Sequence, residues 1–314
     1  MHLDLRPLNV GELFDRAFTL YRRNLWLFVG IIALPAVFAL AITILMQIAQ
    51  RMMITTDFAA AKENPELVTT TGLAMIALGG GVIIMAIIYW VVYMIALGAA
   101  THAVSELYVG RLSSVKQAYA GMRGRVGALI VLLLLVGLRI GAVGVGAGVV
   151  LAIGAGIGAV LHPVISGLVV MFGLLFLFLG IGFMMLRYGM TVPALVVEQL
   201  SPGDAIRRSV ELTKARLLRV LLLVVCAFVL NVAAMMIFQW PFQIGAFAAG
   251  PESTLGFWLN IAAAVTGTIG TTFTTPFLVI GLALLYYDAR IREEGFDLEL
   301  TLAALDARTV AART

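Results

Sequence analysis

VGALIVLLLLVGLRIGAVGVGAGVVLAIGAGIGAV, residues 126–160, carries one charge, Arg139. A helix rises about 1.5 Å per residue, so about 20 apolar residues cross the hydrocarbon of a bilayer, and this stretch exceeds that length. The alternation in segments of about ten residues that marks a membrane β-barrel is absent. Five further stretches read the same way: residues 25–47, 72–100, 164–186, 217–237 and 259–287. His162 and Pro163 supply the turn between the third and fourth. The whole chain is 62% hydrophobic and 12% charged, with a mean hydropathy of +1.05, and cannot cover itself with a wetted surface. The expected fold is all-α: a polytopic bundle of six spans arranged as three hairpins.

The distribution of Lys and Arg sets the orientation, because cytoplasmic loops retain positive charge. With the N-terminus inside, the inner segments hold four before the first span, four over 111–125, six over 187–219 and four after the sixth, out of 21. The outer side has only Arg51 and Lys62. This predicts a bacterial-type inner membrane protein with both termini cytoplasmic. The N-terminal arginines Arg6, Arg16, Arg22 and Arg23 are mixed with acidic residues, and no cleavage site precedes Leu25, so no removable signal peptide is expected. The net charge of +4 and pI near 9.4 come from arginines flanking apolar spans, which points to anionic lipid headgroups rather than nucleic acid. Cys226, the one cysteine, lies in a span and reads as a small core residue.

A short amphipathic segment precedes each pair of spans. Residues 10–23 place Leu13, Phe14, Ala17, Phe18 and Tyr21 on one face. Val115, Ala118, Tyr119 and Met122 repeat the spacing, with Lys116, Gln117 and Arg123 opposite. The third is less regular, with Ile206, Val210 and Leu217 apolar and Arg207, Arg208, Glu211 and Lys214 polar. Each opens with helix-start chemistry: Asn9 with Glu12, Ser114 with Gln117, and Ser201 with Asp204 behind Pro202. This suggests one membrane domain, residues 1–300, built of three repeats (9–110, 113–200, 201–300), followed by a short tail, 301–314. The segments read either as plain basic loops or as helices in the headgroup layer, with arginine forks on phosphates or on a partner protein. The candidate contact residues are Arg16, Arg22, Arg23, Arg123, Arg125, Arg207, Arg208 and Arg216. Glu198 is near Arg207 and Arg208 in sequence, and an ion pair there would be worth little if exposed.

Within the spans, Arg139 and Asn231 are the polar candidates. Arg139 needs a partner or an escape route, since a charge in hydrocarbon costs at least about 2.5–3.5 kcal/mol. It could mark a substrate or lipid-phosphate site, or could face a bundle interior or snorkel. Asn231 reads as interhelical glue. Gly137 and Gly141, Gly144 and Gly148, and Gly154 and Gly158 read as helix-packing pairs. Thr266, Thr268, Thr271, Thr272, Thr274 and Thr275 precede Pro276, where a kink is the default expectation and a polar pathway the alternative. Pro35 and Pro193 are further expected kinks or breaks.

Catalytic signatures are missing. The histidines, His2, His102 and His162, are scattered, and there is no HExxH, CxxC, GxxxxGK[ST] or GxSxG. No metal, no cofactor and no enzymatic activity is expected.

The segment LLYYDARIREEGFDLEL, residues 284–300, resembles the C-terminal signature of the glycerophosphoryl diester phosphodiesterase membrane domain family. LRPLNVGELFDRAFTLYRRN (5–24), THAVSELYVGR (101–111) and PALVVEQLSPGDAIRRSVELTKAR (193–216) extend the resemblance over almost the whole chain. The architecture is also similar to that of YciC-type uncharacterised inner-membrane proteins. The resemblance implies a membrane-domain fold without phosphodiesterase activity, because no HRG-type catalytic motif is present. Its densest match is Tyr286, Tyr287, Asp288, Arg290, Arg292, Glu294, Gly295, Phe296 and Asp297, for which a structural or partner-contact role is expected, with Phe296 docking back onto the bundle. The leading functional expectation is a non-catalytic scaffold or lipid- and partner-organising protein. A transporter or lipid flippase, and a membrane enzyme acting on lipid, stand as alternatives.

Overall fold

A computed structural model describes residues 9–55 and 65–294, and every regular element among them is helical. Gly295, Phe296 and Asp297, and with them the expected docking of Phe296, lie outside the described residues, as does the side chain of Glu294. The elements are α1 (Val10–Arg23), α2 (Leu25–Thr55), α3 (Pro65–Tyr108), α4 (Val115–Ala120), α5 (Val126–Leu161), α6 (Pro163–Tyr188), α7 (Thr191–Val197), α8 (Pro202–Lys214), α9 (Leu217–Phe238), α10 (Trp240–Ala249) and α11 (Thr254–Glu294).

Six of these helices, α2, α3, α5, α6, α9 and α11, are long and apolar enough to cross a membrane, so the chain is a polytopic helical bundle. Several overrun the expected span. α3 has 44 residues and α11 has 41, about 66 and 62 Å of helix against roughly 30 Å of hydrocarbon. The extra turns form a compact head. The C-terminal turns of α3 and α11 and the first turns of α5 and α9 carry most of the buried core, and α1, α4, α7 and α8 pack among them. α11 is the axis, touching α1, α2, α3, α7, α9 and α10. The α5–α6 hairpin packs mainly on itself, and no residue in the most apolar stretch of α6 is buried.

Two elements were not anticipated. α7 follows a break at Gly189–Met190 rather than at Pro193. Pro193 sits in the first turn of α7, where a missing N–H has no intrahelical partner to lose, and six of the seven α7 residues are buried. α10 begins with Trp240–Pro241 and ends at Gly250, whose φ of +88° suits glycine. Pro35 and Pro276 stay inside continuous helices.

Candidate functional site

The head of the bundle gathers the arginines and the three amphipathic helices. α1 and α4 start with complete capping boxes: the Glu12 N–H donates to Asn9 Oδ1 at 2.8 Å, and the Asn9 N–H donates back to Glu12 Oε2 at 3.0 Å. Ser114 and Gln117 repeat this pattern on α4. α8 is capped by Ser201 with Pro202 at its start.

Each helix is then pinned by hydroxyls to a backbone carbonyl of a longer helix. α4 lies on α2 and α3, where Gly30 and Gly98 leave room for Val115 and Met122, and the ring of His102 occupies the space over Gly121. Tyr119 donates to the Ile31 carbonyl at 2.7 Å. That carbonyl is the one Pro35, four residues on, cannot serve, so Tyr119 supplies the donor the proline removes. α1 lies on α11, with Phe14 stacked on Phe277 and Tyr21 donating to the Phe273 carbonyl at 2.5 Å, one turn before Pro276. Burial pushes the Tyr119 phenol up to about 12 and raises that of Tyr21, so both remain donors at neutral pH.

The buried face of α8 differs from the sequence reading. It comprises Ala205, Ile206, Ser209, Leu212 and Thr213, whereas Leu217 belongs to α9. Ser209 donates to the Arg187 carbonyl at 2.7 Å and accepts from the Met190 N–H at 3.2 Å, while Thr213 donates to the Ser209 carbonyl at 2.6 Å. A reading by hydrophobicity alone passes over these hydroxyls, because their burial depends on free backbone groups at the end of α6.

Two carboxylates organise the ionic contacts. Glu198 caps α7 ahead of Gln199, a non-glycine residue at φ +56°. Its Oε1 accepts from Arg208 Nε at 3.3 Å, lies 3.4 Å from Arg290 Nε, and is hydrogen-bonded by the Tyr286 hydroxyl. The pairing with Arg208 is thus present and mostly buried, while Arg207 turns outward to Asp204 and Glu211 on its own helix. Asp288, with its side chain 1% exposed, accepts from Arg219 Nη1 at 2.9 Å and Arg292 Nε at 3.0 Å. Arg216 is buried between the Leu212 and Ala289 carbonyls and Glu293. Tyr287 donates to Ser105 Oγ at 2.8 Å and stacks on Tyr108, ring centres 4.8 Å apart. Tyr286, Tyr287, Asp288, Arg290 and Arg292 therefore join α11 to the α7–α8 region, α3 and α9. The sequence pointed to part of this hub through the proximity of Glu198 to Arg208 and through the dense match around Asp288, where the last apolar run turns charged.

The eight candidate contact arginines divide accordingly. Arg22, Arg23, Arg123 and Arg207 are exposed. Arg125 donates to the Val196 carbonyl at 2.7 Å, Arg208 and Arg216 serve Glu198 and Glu293, and Arg16 is half-buried. Arg22 and Arg23 border an open hollow with Asn24, Leu25, Trp26 and Leu27. Arg139 is exposed on α5, and no hydrogen bond or ion pair joins it to another described residue. Asn231 Oδ1 is buried and accepts no hydrogen bond among the described residues. Of the glycine pairs, Gly154 and Gly158 face α6, while a Cβ at Gly137, Gly141, Gly144 or Gly148 would meet nothing within 4 Å. His102 and His162 stand apart, with His162 capping α6 through Nδ1, and no cluster of three metal-binding side chains occurs among the described residues.

Fold and site together define an all-helical, multi-pass membrane protein whose head is closed by ion pairs. Over residues 8–289 the chain matches a family described as a domain of unknown function (DUF7847), and it belongs to that family. No curated protein and no solved structure matches it.

Proposed function

We propose that this chain is a non-catalytic protein of a bacterial-type inner membrane, with its arginine-rich head on the cytoplasmic side, organising anionic lipid and, through the same surface, a membrane-protein partner. The observation that carries this reading is the outward face of the head. Arg22 and Arg23 are exposed beside Phe18 and Trp26, which are 56% and 76% exposed, and Arg123 and Arg207 are exposed on the same head. Guanidinium groups next to exposed aromatic and apolar side chains are what the headgroup boundary of an anionic leaflet accommodates. Both termini would then be cytoplasmic, in line with the Lys and Arg count.

The resemblance to the glycerophosphoryl diester phosphodiesterase membrane domain fits this role, since that resemblance covers a membrane domain without catalytic residues. Transport or lipid flipping through Arg139 draws no support from its position, because Arg139 borders neither described hollow. The test is native mass spectrometry of the full chain released from mixed zwitterionic and anionic nanodiscs. Retained anionic lipid is expected to fall by at least half in the Arg22→Gln, Arg23→Gln, Arg123→Gln protein. Unchanged lipid retention in that variant would reject the reading.

A further inference from the structure

Between α2, α3 and α11 lies a cavity of about 80 Å³ that none of the head contacts uses. It adjoins the head: Ile32 follows the Ile31 carbonyl that Tyr119 holds, and Thr272 precedes the Phe273 carbonyl that Tyr21 holds. Two prolines flank it: Pro35 lines one wall, and Pro276 follows Thr275 on the opposite wall.

The polarity of the α11 wall is one-sided. Thr268, Thr271, Thr272 and Thr275 all line it, and each has its hydroxyl proton committed to its own helix. Thr268 donates to the Ala264 carbonyl at 2.8 Å, Thr271 and Thr272 to the Thr268 carbonyl at 3.1 and 2.7 Å, and Thr275 to the Thr271 carbonyl at 2.7 Å. What they can offer a guest is oxygen lone pairs. Pro276 brings no N–H to the Thr272 carbonyl, which leaves the ladder there short of a donor. On the other side Tyr89 and Tyr93 line it, their rings stacked with centres 5.7 Å apart.

We propose that this cavity binds a small monovalent cation. Hydroxyl and carbonyl oxygens at a proline-interrupted helix, without a carboxylate in the lining, match a single positive charge and not a divalent ion. The tyrosine rings that line it add cation–π attraction. An anion would meet the lone pairs of the threonine wall, and an acyl chain would leave those lone pairs without partners. A hollow of about 80 Å³ accommodates a partly hydrated sodium or potassium ion, whereas choline, its nitrogen shielded by methyl groups, offers hydroxyl oxygens no close contact. This inference is independent of the lipid role of the head.

The test uses the full chain in nanodiscs, with thermal unfolding followed in sodium chloride, potassium chloride and choline chloride at equal ionic strength. Sodium or potassium is expected to raise the midpoint saturably over choline. At salt a hundredfold above the dissociation constant, the folded-to-unfolded ratio should rise about 100-fold. Thr271→Val with Thr275→Val preserves shape, removes two acceptors, and should abolish the difference. As a measurement on the unmodified chain, sodium NMR line broadening should be displaced by potassium and not by choline. Identical midpoints in the three salts with no displaceable broadening, or a salt effect retained in the double valine protein, would overturn the assignment.

Discussion

In the head of the bundle, Tyr286 is fully buried and its hydroxyl reaches Glu198. On α6, by contrast, Phe176 and Phe178 are 72% and 75% exposed, and the hairpin they belong to touches the rest of the chain mainly near the head. The two regions differ in solvent, not in quality of folding. Lipid tails are as apolar as phenylalanine, so α6 needs no protein partner to be at home in hydrocarbon. The head gathers charges at the end of the bundle, where backbone ends and guanidinium groups must each find a partner. The head should therefore be sensitive to the loss of single polar groups, and the lipid-facing surface of the hairpin almost indifferent to exchanges of one apolar side chain for another.

The largest effect is expected at Asp288. Asp288→Ala removes the carboxylate that Arg219 and Arg292 share, their side chains being 29% and 30% exposed. Breaking a fully buried pair costs about 3–5 kcal/mol, and partial access to water should reduce this to about 2–3 kcal/mol. Thermal unfolding in detergent reads the loss. A midpoint within a degree of the parent would mean that the head is not held by this carboxylate.

Tyr119→Phe should come next, at about 1–2 kcal/mol, because it leaves the Ile31 carbonyl without a donor. In a Pro35→Ala background the new N–H at position 35 can serve that carbonyl, so the same substitution should cost much less. A double-mutant cycle with no coupling would separate Tyr119 from the proline. Alkaline titration gives a second reading. The folded chain holds the Tyr119 proton up to about 12 against an ordinary 10.0, so this stabilisation is complete below pH 10 and is lost as pH rises through about 12. Tyr119→Phe should lack that share of the alkaline decline.

How far the sequence foretells this contrast depends on the kind of signal. Apolar length and Lys and Arg placement carry the six helices, and the cap residues at Asn9, Ser114 and Ser201 carry the start of each amphipathic helix, because those signals are local. The hub around Asp288 and Glu198 is assembled from residues up to 92 positions apart, and no spacing rule brings Arg290 to Glu198. Local pattern also ranks the arginines as equals. Only packing separates Arg216, closed in by carbonyls and Glu293, from Arg22, which stays at the surface. α7 escaped for the opposite reason: its residues continue the apolar run of α6, and the break at Gly189–Met190 has no proline of its own to mark it.

The smallest and most discriminating effect lies within α5. A Cβ at Gly158 would stand 3.0 Å from the backbone of Ser166, whereas one at Gly141 would meet nothing within 4 Å. Gly158→Ala must push α5 and α6 apart near their turn and should lower the unfolding midpoint by a degree or two. Gly141→Ala changes only helix propensity, which favours alanine by roughly 0.5–1 kcal/mol, and should leave the isolated chain unchanged or slightly more stable. Both alanines are equally apolar, so the difference isolates packing from hydrophobicity. If Gly141→Ala lowered stability as much as Gly158→Ala, the open face of α5 would be in contact with another chain in the membrane, and the hairpin would no longer be the unencumbered half of the comparison.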